Sequence, residues 1–450
     1  MNILYNQEGK ALWKLALPVI LTTAASMMLG VVDLIMVGRL GPEAIAGLSV
    51  AVTWLYGSGV FIRHLAGGVE PLVSQASGRE QDAIRGKLFQ HVLWASVFFF
   101  LPQVCLYFVA EKALLFFGQQ PEIATIAGGY CAVLAFSVPA DLLFFYSMRF
   151  FQAMEKVKQA TMAVVIANVV NVLCNYLLIY KMEWGVIGSA WASCVASYSM
   201  LFVMLIGLRR EIADFCRERY PLSLDIFQNM WKLAWPASLQ LTMETWGFML
   251  SVLFAGWIGT DEQAVHSIVL NIASMCFMLP LGLSVATSTR VGMMIGTNGD
   301  WQNSMKQGVY SLLLVDAMLI TILVVAAPYW MAIYTEQPDL IEMGIPLLYI
   351  CAAFQLFDGG QVFGLAVLRG MGDVRFPLVF NIVAYWVIGV PLALYMAFRL
   401  HWGVAGLWWG LAIALAIVAM LCVLRIRYWM HKGIISLYHR EETESDISVT

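Results

Sequence analysis

The stretch Trp13-Lys14-Leu15-Ala16-Leu17-Pro18 opens a long apolar run and occurs again, at an offset of 218, as Trp231-Lys232-Leu233-Ala234-Trp235-Pro236. The same offset joins Trp184-Gly185-Val186 to Trp402-Gly403-Val404, so the similarity extends over a whole half of the chain. Self-similarity at a fixed spacing indicates a duplicated structural unit. The sequence therefore predicts two related halves.

Composition indicates that these halves lie in a membrane. Of 450 residues, 61% are apolar and 12% are charged, whereas soluble domains carry about 25% charged residues. A transmembrane helix needs about 20 consecutive apolar residues. Such runs are predicted at residues 11–38, 46–76, 86–110, 123–146, 158–181, 186–209, 229–256, 264–296, 304–330, 339–366, 374–398 and 402–428.

The predicted fold is an all-α integral membrane protein with twelve transmembrane helices in two six-helix bundles. Six spans is an even number, so both halves share one membrane orientation and form a parallel internal repeat. The predicted divisions are an N-lobe at 1–208, a cytoplasmic linker at 209–230, a C-lobe at 231–430 and a cytoplasmic polar tail at 431–450. Residues 439–450 have the polar composition of a disordered segment.

Lys and Arg placement predicts the orientation. With the N-terminus in the cytoplasm, most of the 26 Lys and Arg residues fall on the cytoplasmic side, and only Arg39, Lys112, Lys181 and Arg399 fall opposite. This asymmetry is the usual positive-inside signal. We therefore expect both termini in the cytoplasm. The net charge of −3 gives no reason to expect a nucleic acid partner.

Three carboxyl groups stand out within the apolar runs. They are Asp33 in the first span, Glu244 in the seventh and Asp358 in the tenth. An ionisable residue at membrane depth costs about 2.5–3.5 kcal/mol on insertion scales, so such residues usually serve function. A buried carboxyl can exchange a proton or Na⁺ for a cationic substrate. The alternative is that each is a hydrogen-bonded contact between helices.

Asn171 and Asn175 lie four residues apart in the fifth span and therefore share one helical face. Ser193 follows in the sixth span. With Asp33, they offer oxygen ligands suited to a hard cation, and Na⁺ is a candidate at Asp33, Asn171 and Asn175. Alternatively, these amides and this hydroxyl only join neighbouring helices.

The chain resembles the MATE (multidrug and toxic compound extrusion) transporters, in their NorM-like branch. The resemblance is carried by the first motif above and by Val32-Asp33-Leu34-Ile35-Met36-Val37-Gly38, Leu72-Val73-Ser74-Gln75, Asn171-Val172-Leu173-Cys174-Asn175, Gln361-Val362 and Leu368-Arg369-Gly370. It implies export of amphipathic, often cationic compounds in exchange for Na⁺ or H⁺, by a cation site at Asp33, Asn171, Asn175 and Ser193 and by the acids Glu244 and Asp358. Ser193 replaces the family's usual threonine, and Asn175 stands where many members carry aspartate.

Five further residues are candidate accessory groups. Arg63 and Glu70 lie seven residues apart in the second span and are expected on nearly one face, where an ion pair is favoured. Otherwise Arg63 faces the substrate and favours anionic or zwitterionic compounds. His64 is expected to be hydrogen-bonded. Asp141, which matches Asp358 at an offset of 217, is an extra coupling acid or a cytoplasmic contact, and Gln361 accompanies Asp358.

Other classes of function fit the sequence less well. The chain contains no His-Glu-x-x-His, no Gly-x-Ser-x-Gly and no phosphate-binding loop, so we predict that it is not an enzyme. A flippase for lipid-linked saccharides is the alternative of similar architecture, but such proteins favour basic residues at depth. We predict a monomeric antiporter without a cofactor, whose partners are drugs or organic cations, the coupling ion and membrane lipid.

Overall fold

The structure is a computed structural model that describes residues 7–434 and Leu437. The predicted disordered segment 439–450 lies outside the described residues. In the first half, the helical elements are α1 (Gln7–Gly38), α2 (Pro42–His64), a 3₁₀ turn (Leu65–Val69), α3 (Glu70–Gly78), α4 (Asp82–Phe108), α5 (Ala110–Phe116), α6 (Pro121–Leu134), α7 (Val138–Gln152), α8 (Lys158–Asn175), a π-helical segment (Tyr176–Lys181), α9 (Gly185–Gly207) and α10 (Arg209–Arg217).

Over the described residues, the second half has fewer helical elements than the first. Its elements are α11 (Leu224–Ile258), α12 (Thr260–Gly296), α13 (Trp301–Val325), α14 (Ala327–Tyr334), α15 (Pro338–Gly370), α16 (Arg375–Asn381), a π-helical segment (Ile382–Gly389), α17 (Val390–Leu394), a second π-helical segment (Tyr395–Arg399) and α18 (Gly403–Lys432). The predicted all-helical fold is confirmed.

Over the described residues, eleven helices are long and apolar enough to cross a membrane, or up to twelve if one bent pair forms a single span. That pair is α6 and α7, which meet at 62° and occupy the span predicted at 123–146. The span predicted at 304–330 is shorter, because α13 ends at Val325 and α14 is a separate helix. The other predicted spans match helices to within a few residues.

The repeat is also visible in the backbone. Glu183 and His401, which precede α9 and α18, both have φ of 58°. Gly185 and Gly403, two residues further on, both have φ of 56°. Left-handed backbone is uncommon for residues with a side chain and readily adopted by glycine. Two copies of one unusual turn, separated by the same offset as the repeated sequence motifs, indicate a duplicated unit.

Large apolar side chains on the outer helix faces remain exposed, as expected for a surface in contact with lipid. Phe98 and Leu101 of α4 are 66% and 64% exposed, and Leu173 of α8 is 63% exposed. Meanwhile polar side chains such as Gln75 and Asn171 are fully buried. A soluble protein rarely exposes large contiguous apolar surface, so this distribution agrees with a membrane-embedded bundle.

Contacts divide the chain into two compact units. The N-terminal unit is Leu21–Ser238, and the C-terminal unit combines the residues up to Ile20 with those from Leu239 onward. These limits differ from the predicted lobes, 1–208 and 231–430. In the C-terminal unit, Glu8 of α1 accepts hydrogen bonds from Arg290 of α12 and from Ser304 of α13. The first turns of α1 are therefore bound to helices of the second half.

Segment 209–230, predicted as a linker, is attached to the N-terminal unit. Gln90 of α4 donates from Nε2 to the carbonyl of Phe215 at 2.9 Å, and Lys156 forms a 2.8 Å ion pair with Glu211 of α10. The hydrogen bond from Lys156 lowers the pKa of the Glu211 carboxyl. Because the pair is partly exposed, it contributes less than about 1 kcal/mol.

Glycine permits close helix packing at equivalent places in both halves. A Cβ built on Gly188 of α9 would lie 2.9 Å from the carbonyl carbon of Leu178, and one on Gly406 of α18 would lie 2.6 Å from the backbone nitrogen of Ala397. Both neighbours are backbone atoms, which cannot rotate away. Membrane helices commonly use small residues for such contacts.

We predict that Gly406→Ala destabilises the C-terminal unit by about 1–3 kcal/mol, because the new methyl group overpacks the contact with Ala397. Gly30→Ala is the matched control, since a Cβ at Gly30 meets nothing within 4 Å. Thermal unfolding of both purified variants in one detergent is the measurement. Equal melting temperatures for the two variants would contradict the predicted packing.

Candidate functional site

The first candidate site surrounds Asp33 in the N-terminal unit. Asp33 lies near the end of α1 and is 6% exposed. Asn175 donates from Nδ2 to Asp33 Oδ1 at 2.6 Å, and Asn171 donates to the same oxygen at 3.0 Å. Ser193 donates from Oγ to Asp33 Oδ2 at 2.6 Å. The structure thus brings together the four residues of the predicted cation site.

Helix geometry places these groups. Asn171 and Asn175 are one turn apart on α8, and both are fully buried. Asn175 is the last α-helical residue before the π-helical segment, and α9, which carries Ser193, packs against α8. Asn168, one turn earlier, instead donates to the carbonyl groups of Ala25 and Val164, so it joins helices rather than the site.

The two amides present their N–H groups to Asp33, whereas the sequence analysis expected their oxygens to face a cation. Asn171 Oδ1 accepts from Asn175 Nδ2 at 3.1 Å, and Asn175 Oδ1 has no hydrogen-bond partner among the described residues. This arrangement suits a hydrogen-bonded carboxylate. A 180° flip of an Asn side-chain amide exchanges the positions of its NH₂ group and its oxygen. After such a flip, the same residues present oxygens to a cation.

The second candidate site lies in the C-terminal unit around Glu244 of α11. Gln240, one turn earlier, donates from Nε2 to Glu244 Oε2 at 3.0 Å. Gln361 of α15 donates from Nε2 to Glu244 Oε1 at 2.8 Å, and Tyr385 donates to Gln361 Oε1 at 3.4 Å. Gln361 therefore contacts Glu244 directly. All of these hydrogen-bond donors are neutral.

Asp358 belongs to the same region of α15, three residues before Gln361, and is 5% exposed. The charges of Glu244 and of Asp316 both act on it. Asp316 lies on α13, is 1% exposed and was not selected by the sequence analysis. Its signal was present, because it is an acid within the apolar run from Leu312 to Leu319.

The predicted ion pair between Arg63 and Glu70 is wrong. Helix α2 ends at His64, and the 3₁₀ turn Leu65–Val69 separates it from α3, which begins at Glu70. A 3₁₀ turn has about 3.0 residues per turn instead of 3.6, so a seven-residue spacing no longer gives one face. Both carboxylate oxygens of Glu70 are buried without a hydrogen-bond partner among the described residues.

Arg63 instead lies among aromatic and acidic groups. Its guanidinium carbon is 4.9 Å from the centroid of the Phe145 ring, and its charge acts on Asp141 of α7. Asp141 also accepts a hydrogen bond from Ser137 Oγ at 2.8 Å. As expected for His64, its Nδ1 lies 2.8 Å from the carbonyl oxygen of Val60. A coupling role for Asp141 remains a prediction.

Over the described residues, no group of three or more His, Cys, Asp or Glu side chains is arranged to hold a metal ion. A cation near Asp33 would therefore be bound by one carboxylate together with amide and hydroxyl oxygens. Such mixed oxygen sites suit hard cations and carry little net charge.

The fold and both sites define a multi-pass membrane protein with two repeated helical units, each holding buried carboxyl groups. The MatE family model matches residues 18–177 and 236–395, once in each half. The chain belongs to the MatE family, which confirms the resemblance described above.

Named relatives cover nearly the whole chain. The probable multidrug resistance protein NorM of Agrobacterium fabrum is 30% identical over 441 residues, which are 92% of this chain and 93% of that protein. Multidrug and toxin extrusion protein 1 of Xenopus tropicalis is 28% identical and covers 93% of this chain and 75% of its own length. The crystal structure of the eukaryotic MATE transporter AtDTX14 matches with a TM-score of 0.85 at 22% identity, over 93% of this chain and 95% of that chain, which shows the shared fold.

We predict that Ser193→Ala lowers the free energy of unfolding by about 1–3 kcal/mol, because it removes a donor from a buried carboxylate. Ser193→Thr is the control, since it keeps the hydroxyl group. Thermal unfolding of the purified full-length variants at neutral pH checks the prediction. A Ser193→Ala variant as stable as the threonine variant would show that this hydrogen bond contributes nothing.

Proposed function

We propose that this chain is a cation-coupled multidrug antiporter, which exports amphipathic and often cationic compounds in exchange for Na⁺ or H⁺. The names of its relatives support the multidrug part, and the buried acids support the coupling. We place it in a bacterial inner membrane, as a monomer with both termini in the cytoplasm. The distribution of Lys and Arg supports that orientation.

One observation carries the proposal. Asp33 is buried within a membrane span, and its hydrogen-bond partners are the neutral groups of Asn171, Asn175 and Ser193. Neutral donors stabilise a carboxylate but do not cancel its charge, and an uncompensated charge at membrane depth costs about 2.5–3.5 kcal/mol. A proton or Na⁺ offsets that cost. The site therefore favours occupation by a cation that comes from the aqueous phase.

Exchange follows from competition for the same negative charge. When a cation binds Asp33, the Asn171 and Asn175 amides no longer need to donate to it and turn their oxygens inward. Binding then favours whichever conformation of the protein holds the cation better, and this bias couples transport to the cation gradient, which supplies the free energy. In the C-terminal unit, Glu244 and Asp358 bind a cation in the same way, and a cationic substrate competes with it.

The lipid-linked saccharide flippase and the enzyme are weaker alternatives. A flippase must stabilise phosphate groups, whereas Asp33 and Glu244 are acids whose hydrogen-bond donors are neutral amide and hydroxyl groups. An enzyme needs a nucleophile or a metal held against its substrate. The buried acids in both units therefore suit the binding of a cation better than they suit a flippase or an enzyme.

In proteoliposomes, we expect efflux of a cationic dye by the full-length protein to accelerate at least about tenfold when a Na⁺ or proton gradient is imposed. Liposomes without protein are the control. The two gradients, applied separately, identify the coupling ion. Efflux that requires added ATP, or that ignores both gradients, would refute secondary coupling.

Neutralising single acids tests the sites. Asp33→Asn, Glu244→Gln and Asp358→Asn should each slow gradient-driven efflux about tenfold or more, because each removes a negative charge that the cation needs. Asp339→Asn, an exposed acid at the start of α15, is the matched control and should transport normally. Normal transport by all three buried variants, with equal amounts in the membrane, would remove the proposed sites.

A further inference from the structure

Asp316 is a buried carboxylate that the proposed coupling sites do not use. It lies in the C-terminal half of α13, which runs from Trp301 to Val325, and is 1% exposed. Both of its carboxylate oxygens lack a hydrogen-bond partner among the described residues. Asp33 has three donors and Glu244 has two, so Asp316 is the least compensated of these three acids.

The carboxylate points at α15. A Cβ built on Gly359 would lie 2.5 Å from Asp316 Oδ2, so the missing side chain of this glycine makes room for the carboxylate. Nearer the other end of the same helix pair, a Cβ on Gly308 would lie 2.8 Å from the Phe363 ring. These two contacts show that α13 and α15 run antiparallel, with later residues of α13 opposite earlier residues of α15.

A second unpartnered polar group lies on the same face of α15. Gln355 is four residues before Gly359, and therefore one turn away on the face that Asp316 meets. It is fully buried, and neither its amide nitrogen nor its amide oxygen has a hydrogen-bond partner among the described residues. Burying a carboxylate and an amide without hydrogen-bond partners is unfavourable unless a ligand binds to both.

Among the helices packed against α13, α15 places one other acid, Asp358, next to the contact between Asp316 and Gly359. These helices are α12, α14 and α15. Apart from tyrosines and cysteines, their titratable and charged side chains are Asp261, Glu262, His266 and Arg290 on α12, and Asp339, Glu342, Asp358 and Arg369 on α15. Arg290 is bound to Glu8, and His266 to Ser251. Asp358 directly precedes Gly359, whose Cβ position lies 2.5 Å from Asp316 Oδ2, so it is the acid of α15 closest in sequence to that contact.

We propose that Asp316 is a further cation-binding carboxylate of the C-terminal unit, with the Gln355 carbonyl oxygen as its second ligand and Asp358 as its electrostatic partner. The ligand is a hard monovalent cation, H⁺ or Na⁺. The proposed function is needed only to identify this cation as the coupling ion, because the site itself is inferred from burial and contacts. Two adjacent buried carboxylates disfavour each other's ionised form, so a cation bound at Asp316 changes the affinity at Asp358.

The test is to count bound cations in the purified full-length protein in lipid nanodiscs. Proton uptake is measured with a pH indicator in choline chloride, and binding of radioactive Na⁺ is measured at fixed pH. The two arms distinguish the ions. Asp316→Asn should lower the number of H⁺ or Na⁺ bound by about one per chain, and Asp316→Asn with Asp358→Asn by about two. An Asp316→Asn variant that binds as many of both ions as the unmodified chain would overturn the proposal.

A pair of adjacent glycines provides a test that keeps the acid. Gly359→Ala places a methyl group against the Asp316 carboxylate, whereas a Cβ on Gly360 meets only Ala419 Cβ, at 3.7 Å. We expect Gly359→Ala to weaken cation binding about tenfold or more and Gly360→Ala to bind as the unmodified chain does. Equal affinities in the two variants would also overturn the site.

The outcome separates this site from the proposed function. If the unmodified chain shows no gradient-driven efflux while its cation binding depends on Asp316, the coupling proposal fails and the site stands. If efflux follows the gradient but binding is independent of Asp316 and Gly359, the site fails and the coupling proposal stands.

Discussion

A carboxylate in a membrane span must find either a positive partner or hydrogen-bond donors, and this constraint organises both units. Asp33 receives three neutral donors and Glu244 receives two. Asp316 receives none among the described residues. Fewer donors leave more of the burial cost uncompensated, and hence a stronger tendency to take up a cation. The three acids therefore form a graded series.

Duplication preserved the backbone while the site residues diverged. At the offset of 218, Asp33 aligns with Ser251, and Asn171 aligns with Gly389. Ser251 donates to the backbone carbonyl of Phe248, which is an ordinary helix contact. Yet the left-handed turns at Gly185 and Gly403 have the same φ. Packing constrains the repeated helices and turns in both copies, whereas a buried charge needs partners that only one copy supplies.

The helices and the shared face of Asn171 and Asn175 followed from the sequence because each depends on local spacing. Apolar runs of about 20 residues mark the spans, and an i,i+4 pair such as Asn171 and Asn175 has one geometry on any α-helix. The spacing argument failed for Arg63 and Glu70, because a 3₁₀ turn lies between them. No residue pattern in Leu65–Val69 signals that turn strongly, although Gly67 and Gly68 weaken the helix there.

Asp316 was missed for a different reason. Its position in an apolar run was as informative as that of Asp358, but it belongs to no motif and has no matching acid in the first half. What distinguishes it is the glycine opposite, Gly359, and that contact joins α13 to α15 between positions that are distant in the sequence. Partners across helices are set by packing register, which a single sequence does not display. The hydrogen-bond direction of Asn171 and Asn175 is likewise a property of the packed site.

Asp141 and Asp358 show how one duplicated acid acquires two different environments. They align at an offset of 217 on α7 and α15. The positive charge of Arg63 acts on Asp141, which also accepts a hydrogen bond from Ser137. Asp358 instead interacts electrostatically with the negative charges of Glu244 and Asp316. A carboxylate beside a cation of the protein already has its counter-charge, so it has little need of an ion from solution. A carboxylate beside two other acids has none, so an added cation or proton stabilises it. The neighbours, rather than the acid itself, therefore decide whether the protein supplies a counter-charge.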